Sequence, residues 1–171
     1  MSFVTLVGNP REGSRTRAAA EHAADLVAGR LGYMGRREVV DLAGLAPVLL
    51  HPRPPSEVGE ALELVAGARV LLVAGPTYKG TYTGLLKVFL DRLPSQALAG
   101  TTALPILVMG DPRHALAVET HLRPLLVELG ATVPTPGLAL LESEIAVLDE
   151  VLGRWADRVV PQIVLREGAA A

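Results

Sequence analysis

The run RVLLVAGP, residues 69–76, is apolar almost without interruption. A strand with one face in water alternates polar and apolar residues, so a run that has lost the alternation belongs to a sheet covered on both faces. Four more segments fit such a sheet. FVTLVG (3–8) and ALPILVMG (103–110) are nearly as apolar, REVVDL (37–42) is weaker, and TVPTPGLALL (132–141) carries prolines that suit an edge. Helical stretches separate them. An alanine-rich segment over 16–27 stops at Gly29, and SEVGEALELVAGA starts at Ser56 as its N-cap. Further helices cover 83–93, ended by Pro94, then 114–129, closed by Gly130, and 143–160. APVLLHPRPP (46–55) reads as a proline-broken loop. Strands that take turns with helices predict an α/β fold, a five-stranded parallel sheet with helices on both faces.

The 171 residues are expected to form one domain, with a frayed tail from about 166 to 171. A net charge of -2 supplies no basic field for nucleic acid. The absence of cysteine rules out disulfides, thiolate metal sites and thiol redox chemistry, so any redox role needs a borrowed cofactor. No signal-peptide pattern opens the chain and no apolar run approaches the ~20 residues of a membrane span, so a cytoplasmic protein is expected.

In sheets of this type ligands sit beyond the carboxyl ends of the strands, where strand order reverses. That draws attention to the loops 8–16, 75–83 and 110–114. In the first, LVGNPREGSRTR (6–17), a strand gives way to a helix through Gly13, the hydroxyls of Ser14 and Thr16, and the charges of Arg11 and Arg15. A helix N-terminus offers unpaired amides and a positive dipole end, which suit a phosphate. Gly8 and Gly13 have P-loop spacing, but Ser14 stands where the lysine belongs, and Pro10 replaces the second glycine of a dinucleotide fingerprint. A monophosphate fits better. The second loop, AGPTYKGTYTGLLKVFLDRLP (74–94), is rich in hydroxyl donors and flat side chains suited to a planar heterocycle.

GNPREGSRTR together with GPTYKGTYTGLLKVFLDRLP resembles the NADPH-dependent FMN reductase family, above all the flavin reductases that serve alkanesulfonate monooxygenases. The resemblance continues through HALAVETHLRPLL (114–126) and so covers residues 3–130 at least. It implies a flavodoxin-like three-layer sandwich with strand order 2-1-3-4-5 and FMN as cofactor, reduced by NADPH or NADH. It assigns the FMN phosphate to Asn9, Arg11, Ser14, Arg15 and Thr16. The isoalloxazine falls to Pro76, Thr77, Tyr78, Lys79, Gly80, Tyr82 and Thr83, and then to Gly110 and Asp111 in the third loop. The family usually shows two glycines there, so Asp111 must turn away or repel a reduced flavin. Arg113 and His114 stand where they could meet the extra phosphate of NADPH. No residue is assigned as acid or base, because hydride passes between nicotinamide and flavin.

A flavin-dependent monooxygenase is the implied partner and a homodimer or homotetramer the implied assembly. The apolar helices LLKVFLDRL and ALAVETHLRPLLVEL offer faces for it. Three alternatives stay open: a reductase of quinones, azo dyes or metal ions on the same flavin, a flavodoxin-like electron carrier, and a binding module with an empty cleft if Asp111 abolishes flavin affinity. The low net charge argues against the carrier, which docks through an acidic surface. Other residues have plainer readings. His22, His51, His114 and His121 lack metal-ligand spacing, Lys87 and Asp91 suit an exposed ion pair, and Trp155 suits packing in the core or at a subunit contact.

Overall fold

The computed structural model describes residues 2–163; the tail expected to fray from residue 166 lies outside them. Its strands are β1 (Phe3–Val7), β2 (Arg37–Asp41), β3 (Val70–Pro76), β4 (Thr102–Met109) and β5 (Leu138–Leu141). All pair in parallel, in the order β2-β1-β3-β4-β5. The chain therefore leaves β1 in one direction to make β2 and returns to its other side for β3. Strand order reverses between β1 and β3, which opens a crevice at their carboxyl ends.

The lost alternation of the 69–76 run has a simple cause. Val70 and Leu72 face α1 (Arg15–Arg30) and α6 (Leu148–Val159), while Leu71 and Val73 face α3 (Ser56–Ala66), α4 (Gly84–Leu90) and α5 (Arg123–Glu128). Each of these leucines and valines is fully buried, worth roughly 1.5–3 kcal/mol relative to exposure. The buried face of α1 is mostly alanine, Ala19, Ala20, Ala23, Ala24 and Ala28, which lets the helix lie close to the sheet.

Several boundaries differ from those expected. The first helix passes Gly29 and ends at Arg30, because Gly32, with φ 64°, is the residue that takes the left-handed turn. Ser56 is the first helical residue of α3 rather than its N-cap; Pro55 already has the extended backbone of the capping position. The segment read as a loop is preceded by a short helix, α2 (Leu42–Leu45), whose cap is Asp41, accepting from the Ala43 N–H at 3.1 Å.

The helix expected over 114–129 is divided into a 3-10 turn at Pro112–His114, a π segment at Val118–Leu122, and α5. Pro124 has no N–H to return to the carbonyl four residues earlier, so a regular ladder cannot run through it. Prolines act again before β5. Pro134 and Pro136 hold the expected ten-residue strand to four, with Thr132 paired to Thr102 only as an isolated bridge. The last helix is preceded by a 3-10 segment, Glu142–Val147. Trp155 is buried against β5 and its indole donates to the Pro136 carbonyl at 2.9 Å, so its role is core packing and not a subunit contact.

Arg123 ties the π segment to the chain before β5. It pairs with Glu119 and donates to the Val133 and Pro134 carbonyls, while Glu119 Oε1 accepts from the Gly137 N–H at 2.6 Å. The guanidinium beside Glu119 holds its carboxyl below the usual carboxylate range, with the Gly137 N–H helping and burial opposing.

Candidate functional site

Parallel register brings three loops to one edge. Val7 lies opposite Ala74 and Pro76 opposite Val108, so the chain leaves β1, β3 and β4 side by side. Two backbone bonds extend the ladders into the loops: Gly8 N–H to the Ala74 carbonyl at 2.7 Å, and Thr77 N–H to the Val108 carbonyl at 2.8 Å. Thr83 then locks the first loop to the second. Its hydroxyl donates to the Gly8 carbonyl at 2.6 Å and accepts from the Leu86 N–H at 3.1 Å, with only 2% of the residue exposed. Expected as a flavin contact, Thr83 is engaged as the cap of α4 and a strut beneath the site. Gly8 matters for closeness, a role its P-loop spacing did not suggest. A Cβ there would stand 2.8 Å from the Leu86 Cβ, nearer than packed atoms approach.

The first loop is shaped from within. Asn9, 6% exposed, donates to the Thr16 hydroxyl at 3.0 Å and accepts from the Arg11 N–H at 3.0 Å. Gly13 adopts φ 59°, which favours glycine, and Ser14 caps α1 by accepting from the Arg17 N–H at 3.2 Å. Among the described residues nothing accepts from the backbone N–H groups of Gly13, Ser14, Arg15 and Thr16. Four consecutive donors without an acceptor at a helix start have the geometry that suits an anion. Exposed Arg11 has no side-chain partner among the described residues and can close over it. Arg15 is 3.1 Å from Glu142, a carboxylate on a fourth loop, after β5, that reaches the same edge. Arg17, outside the expected set, pairs with Glu21 at 2.9 Å and Asp41 at 3.1 Å.

The second loop is a tight turn. Tyr78 N–H meets the Thr81 carbonyl at 2.8 Å, and the Thr81 N–H returns to Tyr78 at 3.4 Å. The central residues Lys79 and Gly80 have φ 55° and 84°, the pattern of a type I′ turn. Glycine accepts this freely, but lysine in the left-handed region is strained, and such strain gathers at binding loops. Tyr78 is 42% exposed beside the turn, Tyr82 packs against the core below, and the Thr77 hydroxyl is buried without a partner among the described residues.

The third loop meets the second. A Cβ on Gly80 would lie 3.9 Å from the His114 ring. Gly110 is exposed, and Asp111 turns away into its own loop. Asp111 Oδ1 accepts from the Arg113 N–H at 2.9 Å, and Arg113 Nη2 lies 2.6 Å from Oδ2. The guanidinium hydrogen bond, with the backbone one, holds the Asp111 carboxyl down at about 2. The edge thus unites the residues expected in all three loops.

The plainer readings find partners elsewhere. Lys87 and Asp91 form an exposed pair at 2.6 Å, screened by solvent as surface pairs are. His22 lies 2.6 Å from Asp149, and His51 Nδ1 is 2.6 Å from the Arg53 carbonyl. Among the described residues no three histidine or carboxylate side chains come together as a metal site would need.

The profile of the NADPH-dependent FMN reductase family matches residues 1–144. The chain belongs to that family. It is 36% identical over 149 residues to the FMN reductase (NADPH) of Escherichia coli, covering 85% of this chain and 75% of that one. It is 31% identical over 148 residues to the NADH-dependent FMN reductase SfnF of Pseudomonas fluorescens, covering 85% and 79%. Among solved structures, an NADH:FMN oxidoreductase in its apo form superposes with a TM-score of 0.87 at 31% identity, covering 98% of this chain and 92% of that one. The fold is therefore flavodoxin-like, and the chain is an NAD(P)H-dependent FMN reductase in class, an oxidoreductase that works with FMN and a nicotinamide. The residues present fit FMN. The free amides of Gly13–Thr16 suit its phosphate, and the Tyr78–Thr81 turn presents backbone and ring to a flat ligand.

Proposed function

We propose that this FMN reductase takes free FMN as a substrate, reduces it with NAD(P)H, and supplies the reduced flavin to a separate flavin-dependent monooxygenase. The observation that carries the reading is the row of unpaired amides at Gly13–Thr16 on an edge whose ring-side residues, Tyr78 and Gly110, are exposed. That combination grips a phosphate and leaves the flat side accessible. The monooxygenase partner and the homodimer or homotetramer rest on the family resemblance; Leu116 and Val127 are exposed on the segment expected to pair subunits.

In this reading Arg11, Ser14 and Arg15 hold the phosphate, with Asn9 and Thr16 fixing the loop beneath them. Backbone groups of Pro76–Gly80, with Tyr78 and Gly110, orient the ring. When bound, FMN supplies the hydride-accepting chemistry, and the chain supplies geometry and fixed dipoles without a general acid or base. Among the described residues no helix is long and apolar enough to cross a membrane.

The test is steady-state oxidation of NADH and NADPH by purified protein at varied FMN. A rate that saturates with free FMN, with reduced flavin passing through an ultrafiltration membrane, is the expected result. A flavin that stays with the protein and turns over independently of added FMN would contradict the supply role and favour reduction of a quinone or another acceptor.

A further inference from the structure

We infer that Asp111 sets the nicotinamide preference of the site, holding Arg113 away from a ribose phosphate and so favouring NADH over NADPH. The inference rests on the reductase site proposed above and adds to it the choice of hydride donor.

NADPH differs from NADH by one phosphate monoester of about −1.5 to −2 charge, which proteins recognise with an unpaired arginine or lysine. On the rim of the third loop the cation is Arg113, whose side chain is 86% exposed. Its Nε and Nη2 are already engaged. Nε lies 3.2 and 3.0 Å from the two Asp111 oxygens, Nη2 is 2.6 Å from Oδ2, and the Arg113 N–H bonds Oδ1 at 2.9 Å. Pro112 between the two residues fixes its own φ, so little freedom is lost in holding this arrangement.

A ribose phosphate that took Arg113 would have to break a bidentate pair and leave the Asp111 carboxylate facing the new anion. The carboxylate does not relieve this by taking a proton at neutral pH, since even an aspartate without the Arg113 guanidinium titrates only at about 4. A ribose hydroxyl meets no such opposition. It is neutral, and a carboxylate is the usual acceptor for the ribose 2′-hydroxyl in dinucleotide sites. Lys79, on the neighbouring turn and with no ammonium partner among the described residues, competes as a phosphate reader.

The experiment measures kcat/KM for FMN reduction with each nicotinamide in the wild type, Asp111→Asn, Lys79→Ala and the double variant Asp111→Asn/Arg113→Ala. Asparagine keeps an acceptor for the Arg113 N–H and so preserves the turn while releasing the guanidinium. The wild type is expected to favour NADH by about tenfold or more, and Asp111→Asn to raise the NADPH-to-NADH ratio by about tenfold, the scale of one charge-assisted contact. Adding Arg113→Ala should cancel the gain. Competition by the unreactive oxidised dinucleotides gives a second readout, with the phosphorylated one alone binding more tightly to Asp111→Asn. Wild-type preference for NADPH, equal effects of Asp111→Asn on both donors, or loss of NADPH use in Lys79→Ala would each overturn the inference. Failure of both donors to reduce FMN in the wild type would overturn the reductase site itself, and the preference with it.

Discussion

Replacing Arg11 and Arg15 together by alanine is expected to weaken FMN binding by roughly 2–4 kcal/mol, about 30- to 1000-fold, and riboflavin binding by less than about threefold. The two flavins differ only in the phosphate, so the comparison isolates the cradle. Arg11 is exposed without a side-chain partner among the described residues, whereas Arg15 shares its charge with Glu142 at 3.1 Å. The single Arg11→Ala variant should therefore lose more than Arg15→Ala. Ser14 is left in place because it caps α1, and its removal would mix a helix defect of ~1 kcal/mol with the loss of a ligand contact. Calorimetric titration with both flavins reads the difference. Equal losses for FMN and riboflavin would show that the phosphate lies elsewhere.

The second large effect concerns stability. Glu119→Ala leaves the Gly137 N–H without its acceptor and Arg123 without its carboxylate in a half-buried corner, at an expected cost of about 2–3 kcal/mol. For a domain of this size that lowers Tm by roughly 4–12 °C. Glu119 has a depressed folded-state pKa, so its stabilisation is fully present above the unfolded carboxylate value near 4.5 and is lost as pH falls through the folded value. Glu119→Gln should accordingly flatten the acid limb of the stability curve below about pH 5, where unfolded glutamate begins to protonate. Thermal melts of the wild type and both variants from neutral to acid pH measure this. An acid limb as steep in Glu119→Gln as in the wild type would assign the effect to other carboxylates.

The sheet was legible because burial on both faces removes polar alternation, and β3 shows it without exception. The shape of the first loop was legible for a local reason: Gly13 followed by Ser14 is both a left-handed turn and a cap, and both signals lie within two residues. What escaped were long-range partnerships. Nothing in local spacing says that Thr83 will grip the carbonyl of Gly8, or that Glu142 will cross from a fourth loop to Arg15. The division of the 114–129 helix could have been read from Pro124, since a proline within a helical pattern removes a ladder bond. Asp111 was legible as a departure from the family, yet its resolution needed coordinates, because the pairing with Arg113 depends on the turn between them.

The most direct test of the account follows the backbone amide resonances of isotopically labelled protein during titration with FMN and with riboflavin. Both flavins should shift the amides of Thr77–Gly80 and Gly110, where the ring is placed. FMN alone should shift those of Gly13–Thr16, which have no acceptor among the described residues. Shifts confined to another surface, such as the groove of about 280 Å³ between β5 and α6 lined by Trp155 and Arg158, would contradict the placement of the flavin at the β1/β3 switch point.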